Sequence, residues 1–209
     1  MNDPIYKKFK EYGIIQEGHF KLSSGLHSDT YFQMSKLTQD PNIIKHLTSY
    51  FIFLHDLRQK QIQTVIGLAM GSVFFAYELA SQLNCNFVFF EREGNKMQLR
   101  RGQTFDKEKK IYLVEDVITT GSSLKEVIPQ VRKEISWTEN DSCYQRICMG
   151  SNIQGIGTFI DRRSKEHKDS LNPHKVHSLL TLDVNTYTEE NLPNELKTMK
   201  ILKPGSRQI

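Results

Sequence analysis

Hydrophobic residues in the middle of the chain occur in short runs that are separated by longer amphipathic stretches. The pattern predicts β-strands over residues 64–67, 87–91, 111–115, 144–149 and 178–184. It predicts helices over residues 72–83 and 123–134. Alternating strands and helices favour an α/β fold, a central parallel sheet flanked by helices. The run 111–114 is apolar on both faces, so it belongs at the centre of that sheet, and ligands bind at the carboxyl ends of such strands.

The first third of the chain has a different pattern. Helices are predicted over residues 4–12 and 42–57, and a segment rich in glycine and serine, 18–28, lies between them. We interpret residues 1–40 as the main part of a small hood on a single domain that spans residues 1–209. The polar stretch 162–175 is expected to be an exposed connection before the last strand.

The composition excludes several classes of protein. Hydrophobic residues make up 38% of the chain and charged residues 25%, as in soluble globular proteins. The longest apolar runs are far shorter than the roughly 20 residues of a membrane span, and the first ten residues lack an apolar signal segment. Cys85, Cys143 and Cys148 have neither disulfide nor zinc-site spacing. We therefore expect a cytoplasmic protein without a membrane partner.

The net charge of +4 comes from scattered lysines and arginines, which would suit an anionic small molecule as well as nucleic acid. A regulator that binds nucleic acid would need a helix-turn-helix or a basic stripe. The short N-terminal region has no room for a helix-turn-helix, so we expect no nucleic-acid partner.

The most informative segment is residues 114–123, Val-Glu-Asp-Val-Ile-Thr-Thr-Gly-Ser-Ser, in which a buried strand leads into a turn and then a helix. Backbone N–H groups at such a helix start, together with the macrodipole, bind a phosphate. Gly121 permits the close approach of the backbone that this requires. The alternative is a helix whose first turn merely has hydroxyl and acidic caps. A Walker loop is excluded because its lysine is missing.

The paired acids Glu115 and Asp116 indicate what accompanies the phosphate. Two carboxylates repel phosphate, but they accept hydrogen bonds from the vicinal hydroxyls of a ribose. The segment therefore predicts a sugar-phosphate site. It also resembles the phosphoribosyl pyrophosphate (PRPP) signature of the type I phosphoribosyltransferases.

A second segment indicates the base that would accept the sugar. Residues 18–32, which run from Gly18 to Phe32, are similar to the pattern GxFxLxSGxxSxxYF of the orotate phosphoribosyltransferases, in which a Ser24-Gly25 turn would set the hood backbone against orotate. This resemblance extends in order from Gly18 to residues 204–207. It implies the type I fold with a small N-terminal hood, and transfer of the phosphoribosyl group of PRPP to orotate N1. A purine phosphoribosyltransferase could share the segment 114–123, but the hood and residues 161–162 argue against a purine as the acceptor.

The resemblance also implies roles for individual residues. Catalytic residues would be Lys96, Arg100 and Asp116. PRPP would be bound by Arg92, Lys96, Glu115, Asp116, Val117, Ile118, Thr119, Thr120, Gly121, Ser122 and Ser123. Orotate would be bound by Tyr31, Phe32, Thr119 and Arg162. If the resemblance did not hold, Tyr31 and Phe32 would be ordinary core aromatics.

Two loops complete the site that the resemblance implies. Residues 67–71 match the pyrophosphate loop, which often holds a non-proline cis peptide. Residues 92–105, basic and punctuated by glycine, resemble a mobile lid that crosses to the partner subunit of a homodimer, where Lys96, Arg100 and Arg101 would neutralise pyrophosphate. Mg²⁺ is expected to be held mainly by PRPP and water, with no dedicated protein site. The alternative for the lid is a solvated charged hairpin.

The chain departs from many family members at two places. Met70 stands where several members have a lysine, and Glu93 follows Arg92 in a lid that contains no histidine. These features resemble another branch of the family, which has Leu-Arg-Arg-Gly in the lid, as residues 99–102 do here.

Overall fold

The computed structural model describes residues 3–22, 25–132 and 152–203. They divide into two compact units, a hood unit within Met1–Gln39 and Leu182–Ile209, and a core unit, Asp40–Thr181. The predicted strand at 144–149, two of the cysteines, Ser24 and residues 204–207 lie outside the described residues.

The described part of the hood unit contains a four-stranded sheet, two short helices and a 3-10 helix, Met34–Gln39. Its elements are α1 (Pro4–Glu11), β1 (Ile15–Lys21), β2 (His27–Phe32), β10 (Thr186–Tyr187), α5 (Asn194–Lys197) and β11 (Ile201–Leu202). The strand order is β10-β2-β1-β11, and β1 pairs in parallel with β11. Helix α1 begins where Asp3 accepts hydrogen bonds from the N–H groups of Ile5 and Tyr6. The sequence did not reveal that residues after Leu182 complete this unit.

The core unit is built around a seven-stranded sheet. Its strands are β3 (Thr64–Leu68), β4 (Asn86–Glu93), β5 (Lys96–Leu99), β6 (Ile111–Val114), β7 (Val117–Ile118), β8 (Ile153–Asp161) and β9 (Val176–Thr181). The order is β5-β4-β3-β6-β8-β7, with β9 beside β8. Among these described strands every pairing is parallel except that of β4 with β5. The predicted α/β class with a central parallel sheet is confirmed.

Helices α2 (Pro41–Leu54), α3 (Val73–Leu83) and α4 (Ser122–Val131) belong to the same unit. The sequence predicts that α2 extends to residue 57, but the helix ends at Leu54. Asp56 has a left-handed backbone conformation, which breaks the helix, and a short 3-10 helix, Leu57–Lys60, follows. None of the described helices is long and apolar enough to span a membrane.

Strand β6 lies at the centre of the core, as its apolar sequence predicts. All four of its residues are fully buried. Tyr112, the one polar side chain among them, shares a hydrogen bond of 2.8 Å between its hydroxyl and Nδ1 of His177 on β9. Because the buried hydroxyl has this hydrogen-bond partner, a tyrosine can occupy the centre of the sheet.

The connection 162–175 is not uniformly exposed, and the prediction that it is was wrong in part. Leu171 is 2% exposed because it packs against Gly121, and Arg163 is 9% exposed because it pairs with Asp161. The last strand ends at Thr181 rather than 184, where its pairing with Asp161 of β8 ends.

Candidate active site

The two paired acids lie at a break in the strand formed by β6 and β7. Both parts pair with β8, so Glu115 and Asp116 are fixed by its backbone. The Glu115 N–H donates to the carbonyl of Gly157 at 3.0 Å. The Asp116 carbonyl accepts hydrogen bonds from Thr158 Oγ1 at 2.9 Å and from two backbone N–H groups of β8 at 3.2 Å. The main chain of both acids is therefore anchored at the carboxyl end of the central strand, where the sequence predicted a ligand site.

The loop after β3 comes into direct contact with Asp116. A Cβ atom at Gly71 would lie 2.7 Å from Asp116 Cγ and closer still to its Oδ2, so this position has no room for a side chain. The loop is anchored by Ser72, whose Oγ accepts from the Leu68 N–H at 2.7 Å and donates to the Leu68 carbonyl at 2.6 Å. The Ala69–Met70 peptide bond is cis, as the resemblance predicts.

The surroundings of the two acids favour their protonated forms. Burial and then the neighbouring charge of Asp116 raise the pKa of Glu115 from 4.5 to about 8, although Ser123 and Arg92 act in the opposite direction. Burial also raises the pKa of Asp116. Hydrogen-bond donors such as sugar hydroxyls would therefore stabilise the charged forms of both side chains.

Residues 119–123, the predicted phosphate loop, form a bend that leads directly into the first residues of α4. Gly121 has a φ of +72° directly before α4, a value that suits glycine, and Leu171 packs where a Cβ would be, at 2.9 Å. Thr120 Oγ1 accepts from the Ser122 N–H at 3.3 Å, and the Thr120 carbonyl accepts from Ser170 Oγ at 3.2 Å. Thr119, Thr120 and Ser122 are exposed. The start of α4 thus presents N–H and hydroxyl donors to solvent, as an anion site requires.

Residues 92–105 begin as a β-hairpin, in which β4 turns through Gly94 into β5. Arg100 and Arg101, which follow β5, pair with acids of β4. Arg101 forms a bidentate pair with Glu91 at 2.9 Å, and Arg100 lies 2.7 Å from Glu93. Lys96 is exposed, and it has no ion pair among the residues that the structure describes. Movement of this hairpin as a lid stays a prediction.

The two consecutive arginines after β8 have different surroundings. The Arg162 N–H donates to the Ile118 carbonyl at 2.9 Å, which places Arg162 beside the end of β7 and next to the phosphate loop. Arg163 forms a bidentate pair with Asp161 at 2.8 and 2.9 Å, and both side chains are almost fully buried. This buried pair anchors the strand end, and the sequence did not reveal it.

The chain matches a family model and full-length relatives. The model of the phosphoribosyl transferase domain matches residues 33–135. The orotate phosphoribosyltransferase of Caldanaerobacter subterraneus subsp. tengcongensis is 37% identical over 99% of this chain and 98% of that protein. The chain belongs to the orotate phosphoribosyltransferase family. The orotate phosphoribosyltransferase of Caldicellulosiruptor saccharolyticus, another member, is 39% identical over the full length of both proteins.

Solved structures agree with this family fold. The orotate phosphoribosyltransferase of Aeropyrum pernix has a TM-score of 0.63 at 23% identity, over 85% of this chain and 93% of that one. The adenine phosphoribosyltransferase of Trypanosoma brucei has a TM-score of 0.56 at 16% identity, over 100% and 90%. The fold is thus shared by enzymes that are named for different bases, and it does not select the acceptor.

The site residues that the family resemblance implies are distributed over both units. The core unit brings together Glu115, Asp116, residues 119–123 and Arg92, while Arg162 lies at the adjoining strand end. Ile118 is fully buried, and its carbonyl accepts the Arg162 N–H. Tyr31 and Phe32 lie on β2 of the hood unit, where the Tyr31 ring is 5.5 Å from that of Phe20. Their contact with orotate stays a prediction.

Proposed function

We propose that this chain is an orotate phosphoribosyltransferase. It transfers the phosphoribosyl group of PRPP to orotate N1, giving orotidine 5′-phosphate and pyrophosphate, in the cytoplasmic synthesis of UMP. The observation that carries the proposal is the pair of acids fixed at the β6–β7 break beside the phosphate loop. The full-length similarity to proteins named orotate phosphoribosyltransferase supports the choice of base.

The chain's own residues account for binding of the sugar phosphate. The donors at the start of α4 bind the 5-phosphate, while Glu115 and Asp116 accept hydrogen bonds from the ribose hydroxyls. Because a carboxylate that accepts such bonds is stabilised in its charged form, ribose binding lowers the raised pKa of Glu115. Thr119 and Arg162 bind orotate, and the guanidinium of Arg162 pairs with the orotate carboxylate.

The reaction needs positioning and charge rather than a side-chain nucleophile. As the bond between C1 and pyrophosphate breaks, positive charge develops on the ribose and negative charge on the leaving group. Asp116 stabilises the sugar, while Lys96 and Arg100 neutralise pyrophosphate. Bound Mg²⁺, which we expect to be held mainly by PRPP and water, would supply further positive charge there. Orotate N1 then bonds to C1, and the proton of N1 passes to the released pyrophosphate or to water.

The test is a set of parallel reactions with purified protein, PRPP and Mg²⁺. We expect loss of orotate absorbance that requires both PRPP and Mg²⁺, and no turnover of adenine, hypoxanthine or uracil. Turnover of adenine or hypoxanthine would show that the acceptor is a purine base and not orotate. Saturable PRPP binding without turnover of any base would contradict the enzyme proposal and favour a ligand-sensing regulator, which would bind DNA with a steep salt dependence.

We also propose that the protein is a homodimer whose hairpin reaches the partner's site. Large apolar side chains are exposed on the core unit, among them Phe53 at 79%, Met70 at 72% and Tyr77 at 61%. Exposed apolar surface of this kind marks interaction sites. Sedimentation velocity should give twice the 24.3 kDa mass of the chain. A monomer at micromolar concentration would contradict the proposal that the hairpin reaches a partner's site. It would not bear on the transfer reaction, which is tested separately.

A further inference from the structure

Two side chains of helix α4 form hydrogen bonds with the main chain of the edge strand β5. Glu126 Oε1 accepts the Met97 N–H at 2.6 Å, and Gln130 Nε2 donates to the Met97 carbonyl at 3.0 Å. Gln130 also donates to the Glu126 carbonyl at 3.0 Å, within α4. Two side chains of one helix thus satisfy both main-chain groups of a residue on the outer edge of the sheet.

The second carboxylate oxygen of Glu126 binds Arg92. Glu126 Oε2 accepts from Arg92 Nη2 at 3.1 Å, and Arg92 Nη1 donates to the carbonyl of Asn95 in the hairpin turn at 2.9 Å. Arg92 on β4 is paired with Met97 on β5, so the carboxylate bridges the two strands of the hairpin. Glu126 is well suited to this, because the Met97 N–H, and then Arg92, lower its pKa.

These contacts connect the hairpin to the phosphate loop. Helix α4 starts directly after Gly121, and Glu126 lies little more than one turn further along. Arg92 is also close enough to Glu115 that its charge lowers the pKa of that group. The helix that presents donors for the phosphate therefore also fixes a cation beside the acid expected to bind ribose.

We propose that Glu126 is a positioning residue for PRPP, acting through Arg92. It keeps the guanidinium near Glu115, on the side of the site where PRPP would bind, and it holds the two hairpin strands together close to the turn that precedes Lys96. The inference rests on the proposed PRPP-dependent function, but it does not depend on which base accepts the sugar.

The test compares four variants by calorimetric binding of PRPP with Mg²⁺ and by steady-state kinetics. Because the ion pair is about one-third exposed, we expect Glu126→Gln to raise the Kd and KM for PRPP by about 5–10-fold. The KM for orotate and kcat should change less than about twofold. Arg92→Ala should weaken PRPP binding at least as much, and in Arg92→Ala the further change Glu126→Gln should have no effect. Gln130→Ala, which leaves Arg92 in place, should bind PRPP normally.

Glu11→Gln is the matched control, since Glu11 forms an ion pair with Lys8 at 3.1 Å in the hood unit. It should leave binding and kinetics unchanged. Wild-type PRPP affinity in Glu126→Gln would overturn the proposal, as would additive effects of the two substitutions. Equal shifts of kcat, both KM values and Tm in Glu126→Gln and Gln130→Ala would reveal a merely structural clamp and also overturn it. Binding of PRPP without turnover of orotate would contradict the proposed reaction, while the binding experiment would still test Glu126.

Discussion

Replacement of Gly71 by alanine should lower kcat/KM for PRPP by about 100-fold or more, which corresponds to loss of a charged hydrogen bond and of alignment at the sugar. The new Cβ would lie 2.7 Å from Asp116 Cγ. Asp116 cannot shift as a whole, because its carbonyl is held by three donors of β8. The carboxyl group must therefore rotate away from the ribose hydroxyls that we expect it to bind.

Steady-state kinetics, with thermal unfolding to confirm that the variant is folded, measure this effect. Gly13→Ala is the control, since a Cβ there would meet nothing within 4 Å. That control should lose about 1 kcal/mol of stability, because Gly13 has a positive φ, and it should keep its activity. A folded Gly71→Ala protein with wild-type kcat/KM would show that the Asp116 carboxyl is not needed in its observed position.

Replacement of Glu115 by glutamine should stabilise the protein at high pH and at the same time reduce turnover. The pKa of Glu115 in the folded protein, about 8, lies above its ordinary value of 4.5. The folded state therefore favours the protonated form, and its stability falls as pH rises from about 4.5 to 8. Glutamine cannot ionise, so the variant should avoid a loss on the order of a few kcal/mol at pH 9.

Urea unfolding at pH 5 and pH 9 separates this effect from a general change in stability. We expect the two proteins to differ little at pH 5 and most at pH 9, with kcat/KM of the variant reduced at least about tenfold by loss of a charged hydrogen bond to ribose. Glu190→Gln provides the control, since it makes the same substitution at an exposed position outside the predicted site and should leave kcat/KM unchanged. A stability difference that is equal at both pH values would show that Glu115 ionises normally in the folded protein.

The strand, turn and helix start at residues 114–123 could be predicted from the sequence because they are contiguous. Residues 114–123 contain the strand end, both acids, the glycine and the helix start, so local spacing determines the site. The parallel sheet was likewise predictable, since apolar strands alternate with helices along the chain.

Other parts of the site depend on pairings between distant segments. Gly71 and Asp116, 45 positions apart, meet because β3 and β6 are neighbours in the sheet. Glu126 meets Arg92 because α4 packs against β5. The cations of residues 92–101 are evident from the sequence. The pairing of Arg100 and Arg101 with Glu91 and Glu93 depends on the register of β4 and β5. Composition and spacing do not fix such a register.

The parallel pairing of β1 with β11 has a consequence for the order in which the protein can form during translation. Residues that begin the hood leave the ribosome first, but β10, α5 and β11, which complete its sheet, are synthesised only after the whole core unit. Since domains acquire structure as their residues emerge, the core sheet can form before the hood sheet is complete. The hood unit, which we expect to choose the base, is thus completed last, when the core sheet that carries the predicted sugar-phosphate site can already have formed.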